Sequence, residues 1–64
     1  MSTSTPLPKV GAPATRALTA AGYQFLEDLD GQSRTALLAL HGVGPRAIRI
    51  LDQALAELGL SLVD

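Results

Sequence analysis

Gly42-Val43-Gly44 is followed directly by Pro45, Arg46 and Ala47, and Arg49 lies three residues beyond Arg46. Glycines reach backbone angles that a side chain forbids, so two apolar helical runs can be joined by a connection this short. Proline suits the first helical position, where the missing N–H would have had no partner. The expected product is a helix start whose free amides stand beside two arginines. Unpaired N–H groups and the helix dipole both favour negative charge there. The chemistry on offer is anion capture, and the natural polyanion is nucleic acid. The amides around Gly44, Arg46 and Ala47 form the expected cradle. Gly42 and Val43 of the turn are expected to contact DNA beside it, and Arg46, Arg49 and Arg16 add charge. If Gly44 holds a conformation closed to β-branched residues, Gly44→Val damages fold and binding together.

The charge pattern bears on the same reading. Net charge is −1, which does not suggest a strongly basic nucleic-acid protein. Yet Lys9, Arg16, Arg46 and Arg49 lie in or next to two glycine-containing turns, with no acid between Lys9 and Arg16 or between His41 and Arg49. Glu27, Asp28 and Asp30 cluster in the connecting segment, and Asp52, Glu57 and Asp64 follow later. A near-neutral chain can therefore carry one basic face. An ordinary mixed-charge surface is the competing expectation. Arg34 reads as a solvated first-turn charge, and Lys9 as a weak supplement to phosphate binding.

Other chemistry finds little to stand on. The chain has no cysteine, hence no disulfide and no thiolate metal site. His41 is the sole histidine and has no pair of carboxylates near it in sequence, so no metal site is expected. It is expected to end the third helix, where a cation suits the dipole. Glu27 and Asp28 are adjacent, so on a helix they point apart and read as solvated charge. No nucleophile, base and orienting group can be assembled. The expectation is a non-enzymatic module with no cofactor and no small-molecule substrate. Tyr23 and Phe25 are the only aromatics and are expected in the core. That leaves no stacking platform for single strands and favours duplex DNA.

These residues need elements to hold them, and the pattern is helical throughout. Residues 1–8 are polar and proline-punctuated, and read as a disordered tail; residues 9–64 read as one domain. A first helix is expected from Pro13 to Ala21, closed by Gly22. Tyr23–Leu29 is a short segment whose Phe25, Leu26 and Leu29 pin one helical turn, ended by Asp30-Gly31. Ser33 suits the N-cap of a third helix over Arg34–Leu40. The fourth runs from Pro45 to about Leu58, with Gly59 as its stop. Ile48, Leu51, Leu55 and Leu58 form its buried stripe, while Ile50 falls outside with Ala47 and Ala54. Leu60, Leu62 and Val63 form a tail that packs back. No segment alternates long enough to be a strand, so the fold class is all-α: a compact bundle of four to five short helices. The start has no apolar run of the secretory kind, and none approaches a membrane span, so a cytoplasmic location with no membrane partner is expected.

Val10-Gly11-Ala12-Pro13-Ala14-Thr15-Arg16-Ala17-Leu18 echoes Val43-Gly44-Pro45-Arg46-Ala47-Ile48-Arg49-Ile50-Leu51. Ala17–Gly22 parallels Ala54–Gly59 after a shift of one helical turn. The echo suggests a degenerate second copy on the N-terminal side, and hence two anion sites on related faces.

Leu37–Leu51 resembles a helix-hairpin-helix motif, with Leu40, Gly42, Val43, Gly44 and Ala47 at its core and Arg46 at its basic position. Residues 10–62 as a whole resemble the C-terminal domain of the bacterial RNA polymerase alpha subunit. The matching residues are Ala14, Leu18, Ala21-Gly22, Glu27-Asp28-Leu29, Leu37-Leu38, Gly44 and Leu55 to Leu60. The resemblance implies DNA binding through the start of the first helix and through the hairpin, at phosphates and the minor groove. It puts Pro13 where that family carries its principal DNA-reaching arginine, which removes that contact. It puts Arg16 at an asparagine position and Arg46 at the hairpin lysine. The expected partner is double-stranded DNA, bound weakly and without sequence preference. The rival expectation is a protein-interaction domain of the same fold, using the exposed side of the last helix around Ile50.

Overall fold

A computed structural model describes residues 4–64. Its elements are helix α1 (Ala12–Ala20), a 3-10 helix (Leu26–Leu29), α2 (Arg34–Leu38) and α3 (Pro45–Glu57). The result is an all-α bundle of short helices; among the described residues there are isolated bridge pairs but no β-sheet.

Glycine and proline set the outline of α1 and α3. Gly11 and Gly44 are the N-caps, and each helix has a proline in its first two positions. At the far end of α1, Gly22 takes φ +97°, a conformation costly for other residues. The Gly22 N–H then donates to Thr19 O (3.0 Å) and the Tyr23 N–H to Leu18 O (2.9 Å). Helix α3 ends in the same way: Gly59 sits at φ +76°, its N–H donates to Ala56 O (3.0 Å), and the Leu60 N–H donates to Leu55 O (2.9 Å). Each pair satisfies carbonyls that a helix end leaves open. Helix α1 starts and stops one residue earlier than expected, so Pro13 is its second residue.

The core gathers Ala14 and Leu18 of α1, Leu26 and Leu29 of the 3-10 helix, Leu37 of α2, Val43, Leu62, and Ala47, Ile48, Leu51 and Leu55 of α3. Truncating one such leucine to alanine typically costs about 2–5 kcal/mol, so these short helices depend on packing more than on propensity. Three expected core positions fall outside it. Phe25 is 40% exposed, because it is the extended residue that precedes the 3-10 helix and pairs with Pro6. Leu58 is 44% exposed, because the helix ends at Glu57 and the stripe no longer applies. Val63 is exposed because the tail lies extended beside Gly31–Arg34, so Leu62 turns inward and its neighbours outward. Conversely Ala47, read as outside the stripe, is buried.

Within residues 4–8 of the expected tail, Thr5 hydrogen bonds to Glu27, Thr5 O accepts from the Leu26 N–H (2.8 Å), and Leu7 packs on the core. Residues 1–3 of that tail lie outside the described residues. The third helix stops at Leu38, since the Ala39 and Leu40 amides turn back to Thr35 and Leu37. His41 therefore stands in the turn, and not at a helix end.

Candidate nucleic-acid interface

The four helical elements begin in two different ways. Ser33 Oγ accepts from the Ala36 N–H (3.2 Å) at the start of α2, as its residue type predicts. Asp28 Oδ2 accepts from the Phe25 N–H (3.0 Å) and the Gln24 N–H (3.1 Å) at the 3-10 helix. Helices α1 and α3 lack any such cap, and neither has an acid in its first turn. The first intrahelical bonds run from the Thr15 N–H to Gly11 O (2.9 Å) and from the Ile48 N–H to Gly44 O (3.1 Å). Among the described residues, the Ala12, Ala14, Arg46 and Ala47 amides ahead of them have no acceptor. Both starts thus present donors and a positive dipole end.

The hairpin turn brings these two starts together. Gly42 sits at φ +99°, and a Cβ there would stand 2.7 Å from Pro13 O. Gly42 is therefore laid directly on the first turn of α1. Gly44 lies two residues on, at most about 7 Å from Gly42 by chain reach. The N-cap of α3 is consequently a near neighbour of the α1 start.

The residues singled out from sequence separate into distinct roles. Arg16, Arg46 and Arg49 are exposed, and among the described residues none makes an ion pair within 4 Å. Gly44 is extended (φ −115°, ψ 179°) with open space where a Cβ would be. The condition under which Gly44→Val would damage the fold is therefore not met; Gly42 is the constrained glycine. Val43 is 6% exposed, and its N–H is given to Leu40 O (3.1 Å). Its side chain plugs the core and its amide is spent within the turn. Ala47 offers its amide only, since its side chain is buried.

Arg34 departs from its expected role. Its Nε and Nη2 donate to Asp52 Oδ2 on α3 (3.2 and 2.9 Å), Nη2 also reaches Oδ1 (2.9 Å), and Nη1 lies 3.6 Å from Asp64 Oδ1. The Asp52 hydrogen bonds and charge raise the Arg34 pKa further above its ordinary value. Arg34 links α2, α3 and the C-terminal segment as a paired charge, with its side chain still 39% exposed to solvent. Glu27 is likewise held: its carboxylate accepts from the Thr5 hydroxyl (2.7 Å) and the Thr5 N–H (2.8 Å), which lower its pKa. Neither contact could be read from spacing, because the partners are 18 and 22 residues apart.

His41 lines a shallow apolar depression with Ala17, Ala20, Ala21 and Leu40. Among the described residues no group of three or more His, Cys, Asp or Glu side chains is arranged to hold a metal ion, and no helix is long and apolar enough to cross a membrane. Around Ile50, which is half-buried, the side of α3 defined by helical spacing carries exposed Arg46, Gln53 and Glu57. No family model matches the chain, and no curated protein or solved structure matches it.

Proposed function

We propose that this chain is a small non-enzymatic module that binds double-stranded DNA through phosphates, weakly and with little sequence preference. In this reading Gly42–Arg49 is a helix-hairpin-helix turn of the kind carried by the C-terminal domain of the RNA polymerase alpha subunit. Gly11–Arg16 is its degenerate second copy. The observation that carries the reading is the pairing of two uncapped helix starts beside arginines free of carboxylates. A chain that caps its other two helical elements, and ties Arg34 to Asp52, leaves these two starts and three exposed arginines without partners among the described residues.

The second copy draws support from position. Gly11 and Gly44 are both N-caps, Ala14 and Ala47 are both buried, Leu18 and Leu51 are both buried, and Arg16 and Arg49 are both exposed. Each start can hold one phosphate oxygen on its free amides, with the arginines reaching flanking phosphates. Such contacts fix orientation but carry no sequence information. Non-specific affinity of this kind is about 10⁻⁴–10⁻⁶ M and falls steeply with salt.

The test is a titration of the folded chain with duplexes of unrelated sequence at low and moderate salt. Binding that weakens with salt and ignores sequence supports the proposal. A flat titration at low salt rejects it.

A further inference from the structure

The stretch from Thr5 to Val10 crosses the surface without helical structure and leads into Gly11, the N-cap of α1. Its outer end is fastened by one carboxylate. The Thr5 N–H donates to Glu27 Oε1 (2.8 Å), the Thr5 hydroxyl donates to Glu27 Oε2 (2.7 Å), and the Leu26 N–H donates to Thr5 O (2.8 Å). Both oxygens of Glu27 are committed to a single residue. Pro6 then pairs with Phe25, and Leu7 and Val10 pack on the core further along.

We infer that the Thr5–Glu27 contact is a latch that phosphorylation of Thr5 opens. The closed state requires a hydroxyl that donates to a carboxylate. In the modification, Thr5 Oγ attacks the γ-phosphorus of ATP held by a protein kinase. The Oγ–P bond forms, the bond from that phosphorus to the bridging oxygen breaks, ADP leaves, and the hydroxyl proton passes to the kinase's base. Thr5 is half-buried between exposed Ser4 and Pro6, on backbone that is in neither a helix nor a sheet, so the segment can be drawn out into a kinase cleft. The product carries a charge of about −1.5 to −2 and no donor. It would face a carboxylate oxygen that now lies 2.7 Å from Thr5 Oγ. Repulsion and the lost hydrogen bond both act to release the strap. Helix α1 stays seated through Ala14 and Leu18, so the opening is local.

A chain of 64 residues is within reach of chemical synthesis with phosphothreonine at position 5. Hydrogen exchange at the Leu26 amide reports the strap directly, and exchange at Leu55 reports the core. The phosphorylated chain is expected to exchange Leu26 about tenfold faster than the unmodified chain, with Leu55 unchanged. Combining phosphothreonine with Glu27→Lys converts repulsion to attraction and restores Leu26 protection. Thr5→Val, which removes the donor without adding charge, gives an intermediate rate. Leu26 protection untouched by the phosphoryl group, or a loss that Glu27→Lys fails to repair, overturns the inference.

Discussion

Replacing Gly42 by alanine should cost this domain a large share of its stability, whereas the same change at Gly44 should cost little. At Gly42 two effects add. An L-residue forced to positive φ loses roughly 1–2 kcal/mol. The new Cβ would also stand 2.7 Å from Pro13 O, 3.1 Å from Pro13 C and 3.3 Å from Pro13 Cβ. The nearest partner is backbone in the first turn of α1 and cannot rotate away. Reaching ordinary contact means moving the hairpin and α1 apart by about 0.7 Å. Overpacking of that kind typically costs about 1–3 kcal/mol. The sum is about 2–5 kcal/mol. A domain of this length has roughly 3–10 kcal/mol in total. At Gly44 the backbone is extended and the Cβ meets open space. The poorer N-cap and the stiffer unfolded chain act in opposite directions, leaving a net change within about 1 kcal/mol. Thermal denaturation followed by circular dichroism reads both. Gly42→Ala should lower the midpoint by roughly 10 °C or more, and Gly44→Ala by no more than about 8 °C. A Gly42→Ala midpoint equal to the parent's, or a Gly44→Ala loss as large as that of Gly42→Ala, would refute the packing of the hairpin on α1.

Charge variants separate contact from stability. Arg46→Gln and Arg16→Gln should each flatten the logarithmic salt slope of DNA binding by nearly one unit, the double variant by about their sum, with thermal midpoints near the parent's. Arg34→Gln should do the reverse, lowering the midpoint through loss of the Asp52 clamp while leaving the slope of the folded protein nearly unchanged; a flattening equal to that of Arg16→Gln would mean diffuse surface attraction. Acid should weaken the fold through Glu27. Its folded pKa lies below the ordinary 4.5, so its contribution is present above that value and is lost as pH falls through the depressed one. Denaturation across pH 7 to 3 in the parent and in Glu27→Gln checks this, since the variant should show a shallower decline below about pH 4.5.

Much of the fold was legible because its punctuation is local. Pro45, Gly22, Gly31, Gly59 and Ser33 each act within a turn of their own position, so residue type predicts their role. The apolar spacing of Ile48, Leu51 and Leu55 likewise gives the buried side of α3. What escaped was tertiary. Leu58 continues the stripe in sequence but lies past the helix end. Val43 looks like a turn residue and is a core plug, because the tight hairpin turns it inward. Arg34 and Glu27 look solvated until partners 18 and 22 residues away are known. The two hairpin glycines are identical in sequence, and only the contact with Pro13 shows which one tolerates a side chain. For the candidate interface, spacing gave the glycines and arginines. It gave neither the withdrawal of Val43 nor the meeting of the two helix starts.

That meeting is the centre of the functional reading, and amide chemical shifts test it most directly. The labelled protein is titrated with a duplex at low salt and then at moderate salt. Shifts should appear together at Ala12, Ala14, Gly44, Arg46 and Ala47, with one binding curve for both turns, and should shrink together as salt rises. Amides of Leu26, Ser33 and Leu55 should stay in place. Shifts confined to one turn, spread over the whole surface, or missing at low salt would contradict a two-start phosphate site.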